Sequence, residues 1–129
     1  MTESQKIAAL LVELAAQPHL TFPKERGPID APKSAGVYVI RGKASEVLYV
    51  GRTRAKGGLR QRLGGHLADQ SVFARALGPD RGKSLRSGYT FQYLVVDIAR
   101  TRALLEQLAT GTLCPRHLGL SSPAEKSDA

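Results

Sequence analysis

Cysteine is almost absent from this chain: Cys114 is the only one in 129 residues. A lone thiol excludes an internal disulfide framework and argues against a cysteine-based zinc site. Long apolar runs are also missing. None approaches the roughly 20 residues that a membrane-spanning helix needs, so no membrane partner is expected. The segment from Met1 to Lys6 lacks a basic start followed by an apolar signal region. Secretion is therefore not expected, and a cytoplasmic location is the default expectation. Acidic residues are scarce: 11 Asp and Glu stand against 19 Lys and Arg, for a net charge of +8.

What is present is an ordinary apolar fraction, 42%, and a length that suits one domain. The charge is unevenly spread. Residues 52–86 carry nine basic side chains (Arg52, Arg54, Lys56, Arg60, Arg62, Arg75, Arg81, Lys83 and Arg86) against only Asp69 and Asp80. A localised positive field suits a polyanion, and nucleic acid is the usual one. The alternative is a merely soluble basic surface.

Residues 5–16 place Ile7, Leu10, Leu11 and Leu14 at helical spacing, and Pro18 closes that helix. Residues 19–34 are rich in proline and glycine and read as a connecting arm, pinned to the domain surface by Phe22 and Ile29. Residues 36–41 and 46–50 are β-rich and apolar on both faces. They form a hairpin that needs helices on both sides. Residues 58–68 predict a helix with a Leu59, Leu63, Leu67 stripe. Arg62 and His66 flank that stripe as an i, i+4 pair. Gly64 and Gly65 lie opposite, where close approach by another group is one reason for them.

A short helix over 71–77, capped by Asp69 or Ser71, and a basic loop over 78–88 follow. Tyr89 to Val96 is the clearest strand. Residues 100–110, with Leu104, Leu105 and Leu108, form a helix ended by Gly111. The expected architecture is α/β of the α+β kind: a small three-stranded, mostly antiparallel sheet flanked by helices, with an extra N-terminal helix. Residues 1–35 form the helix and arm, 36–118 the main domain, and 119–129 a disordered tail.

Two phenols, a guanidinium and an imidazole thus fall within Gly36 to His66. Such groups can grip and cut a phosphodiester. Each also has a plainer role: a strand tyrosine is usually core, and a helix arginine is usually solvated.

The stretch resembles the GIY-YIG nuclease family. Gly36-Val37-Tyr38 matches its first signature and Tyr49-Val50-Gly51 its second. The helix from Leu59 to His66 is similar to the one that supplies the family's arginine, here Arg62, and its second group, here His66. Leu104-Leu105-Glu106 resembles the helix that supplies a metal-binding glutamate, and Pro115 falls where the family often has a proline. One position departs: the expected asparagine falls at Leu118, with His117 the nearest polar neighbour. His19 and His117 are not assigned to catalysis.

The resemblance implies a divalent-metal-dependent DNA endonuclease with a GIY-YIG-like fold. Its site would be Tyr38, Tyr49, Arg62, His66 and Glu106, with Glu106 holding one Mg²⁺ or Mn²⁺ ion. RNA is the other substrate left open. Tyrosine as a base needs its pKa lowered from about 10, and Arg62 and Arg52 would act in that direction. His66 competes for the role because its ordinary value near 6.5 needs no shift. Arg52, Arg54, Lys56, Arg60, Arg75, Arg81, Lys83 and Arg86 are the expected phosphate contacts. Sequence specificity would come from the 78–88 loop, the N-terminal arm, a homodimer or a targeting protein partner. The alternative function is a catalytically weak or inactive nucleic-acid-binding module on the same fold. A basic protein-interaction domain is a third reading.

Overall fold

The computed structural model describes residues 1–54 and 56–119. Four helices, α1 (Glu3–Ala15), α2 (Gly58–Leu67), α3 (Val72–Arg75) and α4 (Ala99–Leu113), surround strands β1 (Leu20–Thr21), β2 (Gly36–Arg41), β3 (Val47–Arg52) and β4 (Thr90–Val95). The strands form one antiparallel sheet in the order β1-β4-β2-β3. The chain is therefore α+β, as its element order predicts, but the sheet has four strands and not three. The added strand is the two-residue β1, which pairs Leu20 with Phe91 and Thr21 with Thr90. It lies in the arm, where proline and glycine mask so short a pairing.

Alternation along β2 assigns its side chains to two cores. Tyr38 and Ile40 join Leu59 and Leu63 of α2, Phe73 of α3 and Leu85 on one face. Val37 and Val39 join Ile7 and Leu14 of α1 and Leu105 and Ala109 of α4 on the other. The double apolar pattern of the hairpin thus reports helices on both sides, as expected. Each fully buried aliphatic or aromatic side chain contributes about 1.5–3 kcal/mol. Phe22, Ile29 and Ala31 of the arm are core residues of the first face and do not merely pin the arm to the surface.

Local chemistry explains where the elements begin and end. Thr2 starts α1 earlier than its apolar spacing suggests, through a reciprocal cap with Gln5. No side chain caps α2; instead its first amides, Leu59 N and Arg60 N, donate to the carbonyls of Ser34 and Pro32 in the arm. Gly58, at φ +62°, permits that junction, since a Cβ there would collide with the Lys33 and Ser34 carbonyls. The expected 71–77 helix shrinks to α3, capped by Ser71, and the 78–88 loop contains a 3₁₀ turn at Arg81–Arg86. Gly111 does not end α4, which runs on to a left-handed Cys114. Among the described residues no helix is long and apolar enough to cross a membrane. The expected tail, 119–129, lies outside the described residues except for Gly119.

A buried glutamine docks α1 onto the sheet. Gln92 is fully buried. Its Nε2 donates to the carbonyls of Ala15 (3.0 Å) and Gln17 (2.8 Å), and its Oε1 accepts from Arg41 Nε (2.8 Å). Gln92→Leu keeps the volume but orphans all three partners, so it should cost about 2–3 kcal/mol in urea unfolding. A loss below roughly 0.5 kcal/mol would mean that α1 docks by apolar contact alone.

Candidate active site

The hairpin register decides how the tyrosines meet. Tyr38 pairs with Gly51, and Ile40 with Tyr49. The register slips between Ile40 and Arg41, where Arg41 pairs with Val47 and Leu48 is the extra residue. Tyr38 and Tyr49 therefore share one face, with ring centroids 6.3 Å apart. A Cβ on Gly51 would collide with the Tyr38 hydroxyl. The glycine of the second triplet thus makes room for the tyrosine of the first.

The Tyr38 hydroxyl is a hub. It shares a 2.7 Å hydrogen bond with His66 Nε2 and accepts from Arg62 Nε at 3.3 Å. His66 Nδ1 in turn meets Ser71 Oγ at 2.7 Å, and that oxygen accepts from Ala74 N at 3.0 Å. A neutral imidazole has one donor and one acceptor nitrogen, so the two flanking hydroxyls satisfy both. Tyr38 and His66 are both fully buried. Burial pushes the Tyr38 phenol up, outweighing the pull of Arg62, and so reverses the expected lowering. Burial, aided by the Arg62 charge, lowers His66 to about 3. His66 is thus a neutral buried group and does not keep the ordinary value expected of it. Arg62 shows the opposite balance: burial disfavours its charge most, yet Tyr38 and Tyr49 together outweigh it and raise its pKa.

Beside this hub lies a cleft of about 490 Å³ lined by Tyr49, Arg52, Thr53, Arg54, Gly58, Gln61, Arg62, Gly65, Gln70 and Glu106. The α2 members recur at helical spacing, so one helix face borders the cleft while Leu59, Leu63 and His66 are buried behind it. Gly65 is on the cleft face, and a Cβ there would meet only Gln70 at ordinary contact distance. A second lobe, lined by Tyr49, Arg54, Glu106, Gln107, Thr110, His117 and Leu118 among others, continues it. Of the expected site residues, Tyr49, Arg62 and Glu106 thus border the open cleft, and Tyr38 and His66 stand behind it. Leu118, where an asparagine was expected, is 56% exposed.

The nine basic residues differ in what their side chains meet. Arg52, Arg54 and Arg62 line the cleft. Arg60 Nε holds the Ala31 carbonyl, Arg75 the Asp69 carbonyl, and Arg86 those of Pro23 and Glu25. Arg86 is thus a tether between the 3₁₀ turn and the arm. Lys56, Arg81 and Lys83 are exposed.

No family model, curated protein or solved structure matches this chain.

Glu106 supplies one carboxylate to the cleft, and among the described residues no cluster of three or more metal-ligating side chains exists. That donor set does not suit a closed protein cage. It fits a hydrated Mg²⁺ or Mn²⁺, which uses one or two carboxylates and fills its other positions with water and phosphate oxygens.

Ser71 and Thr53 are the main residues that sequence reasoning passed over as site components. Ser71 was legible only as a helix cap; its second task depends on the α2–α3 turn bringing it to His66. Thr53 is buried, and its hydroxyl accepts from Gly36 N at 3.1 Å. A polar residue just beyond the second tyrosine triplet was the available signal. The pH response of His66 is a direct check on the hub. The unfolded chain binds a proton below about 6.5 that the folded chain refuses until about 3, so stability is lost as pH falls through that window. Between pH 7 and pH 5 this amounts to about 2 kcal/mol, and urea midpoints of the wild type should fall accordingly. His66→Gln should flatten the profile over the same interval. Parallel profiles would assign the loss to another group.

Proposed function

We propose that this chain is a divalent-metal-dependent endonuclease that hydrolyses DNA phosphodiester bonds in the cleft between α2, β3 and α4. The observation that carries this reading is the convergence of Arg62, Tyr49 and Glu106 from three elements on one cleft with a cationic excess. The tyrosine-triplet resemblance supports it further. DNA as the substrate, over RNA, rests on that resemblance alone.

In this reading Arg62 takes the non-bridging phosphate oxygens. Its Nε is engaged by Tyr38, and the residue itself lines the cleft. Tyr38, His66 and Ser71 position it: a chain of hydrogen bonds through buried groups leaves the arginine little rotational freedom. Tyr49 is the phenol that borders the cleft, so it orients the attacking water or, as the phenolate, accepts its proton. His66 is buried and neutral, so it is assigned to positioning and not to proton abstraction. Arg52 and Arg54 hold flanking phosphates. Glu106 would hold the divalent cation, which when bound would supply Lewis-acid stabilisation of the phosphate and leaving oxygen.

Leu118 favours a second reading, a nucleic-acid-binding module without cleavage. An exposed leucine in the second lobe can neither hydrogen-bond nor order a ligand. Supercoiled plasmid with Mg²⁺ or Mn²⁺ separates the two. The nuclease should nick plasmid in a chelator-sensitive way, with rates reduced about 10²–10³-fold in Arg62→Ala and Glu106→Gln. Salt-sensitive binding without nicking under either metal would favour the binding module. Nicking that survives both substitutions would be a contaminant's.

A further inference from the structure

Glu106 is the only carboxylate that lines the cleft among the described residues, and it already has a partner. Its Oε1 lies 3.7 Å from Arg52 Nη1, with the two side chains only 22% and 24% exposed. An ion pair so sheltered is screened less than one on an open surface. Its geometry follows from the sheet. Arg52 pairs with Val37 in register, and Val37 belongs to the core under α1 and α4. Arg52 therefore faces α4, and Glu106 is there to meet it. Thr53 fixes the strand end by exchanging hydrogen bonds with Gly36, through its backbone amide (3.0 Å) and its hydroxyl (3.1 Å).

A guanidinium and a divalent cation repel each other when they share one carboxylate oxygen. The carboxylate thus suits the cation better when Arg52 leaves it. A phosphodiester can draw Arg52 away, since guanidinium binds phosphate oxygens bidentately. Arg52, Arg54 and Arg62 outnumber Glu106 in the cleft, so a polyanion is attracted before any cation is bound.

We infer that Arg52 is a substrate-operated latch on Glu106, blocking divalent-cation binding until a nucleic-acid phosphate takes its guanidinium. The inference rests on the nuclease reading and adds an order of binding to it, nucleic acid first and cation second. Linkage then requires that nucleic acid and cation tighten each other's binding by the same factor.

Mn²⁺ titration followed by electron paramagnetic resonance, with and without a short phosphorothioate DNA duplex that resists cleavage, tests this without measuring activity. The duplex should tighten Mn²⁺ binding to the wild type about five- to tenfold, the size expected from freeing one sheltered ion pair. Arg52→Gln should bind Mn²⁺ alone about as much more tightly, and the duplex effect should then shrink to what the phosphate oxygens contribute as ligands. Arg54→Gln removes the same charge from the same cleft without the Glu106 ion pair; it should bind the duplex more weakly, but once saturated with duplex it should still tighten Mn²⁺ as the wild type does. If Mn²⁺ and duplex both bind but Arg52→Gln gains no affinity for Mn²⁺ alone, the latch is wrong and the nuclease reading stands. An equal gain in Arg54→Gln would also overturn the latch, because the effect would be one of general charge. Absence of Mn²⁺ binding in every protein, with or without duplex, would remove Glu106 as a metal holder, and both would fall.

Discussion

The site depends on one buried hydroxyl. Tyr38 Oη ties strand β2 to two positions of α2, Arg62 and His66, and through His66 to Ser71 at the start of α3. Each of these groups is costly to bury alone, and together they leave no buried side-chain polar atom without a partner among the described residues. The arrangement requires Gly51 across the hairpin, because any side chain there would occupy the space of the hydroxyl. It also requires α2 to sit close to the sheet, which the arm ensures by accepting the first amides of the helix. The tether at the start of α2, next to the cleft residue Gly58, thus helps to set the position of Arg62.

The second constraint is the position of β3 at the edge of the sheet. Helices α2 and α4 cover opposite faces, so their side chains would ordinarily never meet. They approach each other only around the free edge of the last strand. Residues just after α4 run along that edge, where Arg116 N and His117 N donate to the carbonyls of Val47 and Leu48. Such a cover also blunts an edge that would otherwise be open to pairing. Tyr49 faces the α2 side and Arg52 the α4 side, so a single strand offers groups to both halves of the cleft. The aromatic stack of Tyr49 on Phe73, with centroids 4.8 Å apart, holds the phenol at that border.

Burial then divides residues that look alike on paper. Tyr38 and Tyr49 are equivalent as letters in two triplets, but one is sealed behind the cleft and the other borders it. His66 carries the side chain best suited to proton transfer at neutral pH, yet desolvation takes it out of that range. Among the basic residues, Arg60, Arg75 and Arg86 hold carbonyls of neighbouring segments, and Arg52, Arg54 and Arg62 line the cleft. Net charge alone cannot make that distinction, since an arginine that caps a loop and one that faces a ligand contribute equally to it.

The sequence by itself determined the two-sided hairpin, the main helices, and the proximity of Tyr38, Tyr49, Arg62 and His66. These follow from periodicity and short spacing: alternation of period two marks the strands, and an i, i+4 interval joins Arg62 to His66. It did not reveal β1, whose two residues lie in a proline- and glycine-rich arm, or the extension of α4 past Gly111. Nor did it reveal Ser71 as a partner of His66 or Arg52 as a partner of Glu106. Ser71 reaches His66 only through the turn between α2 and α3, and Arg52 meets Glu106 only because α4 packs on the face of β3 that Arg52 shares with Val37. Tertiary structure alone also decided which phenol borders the cleft and which charge His66 carries, because solvent exposure belongs to the packed chain and not to any local run of residues.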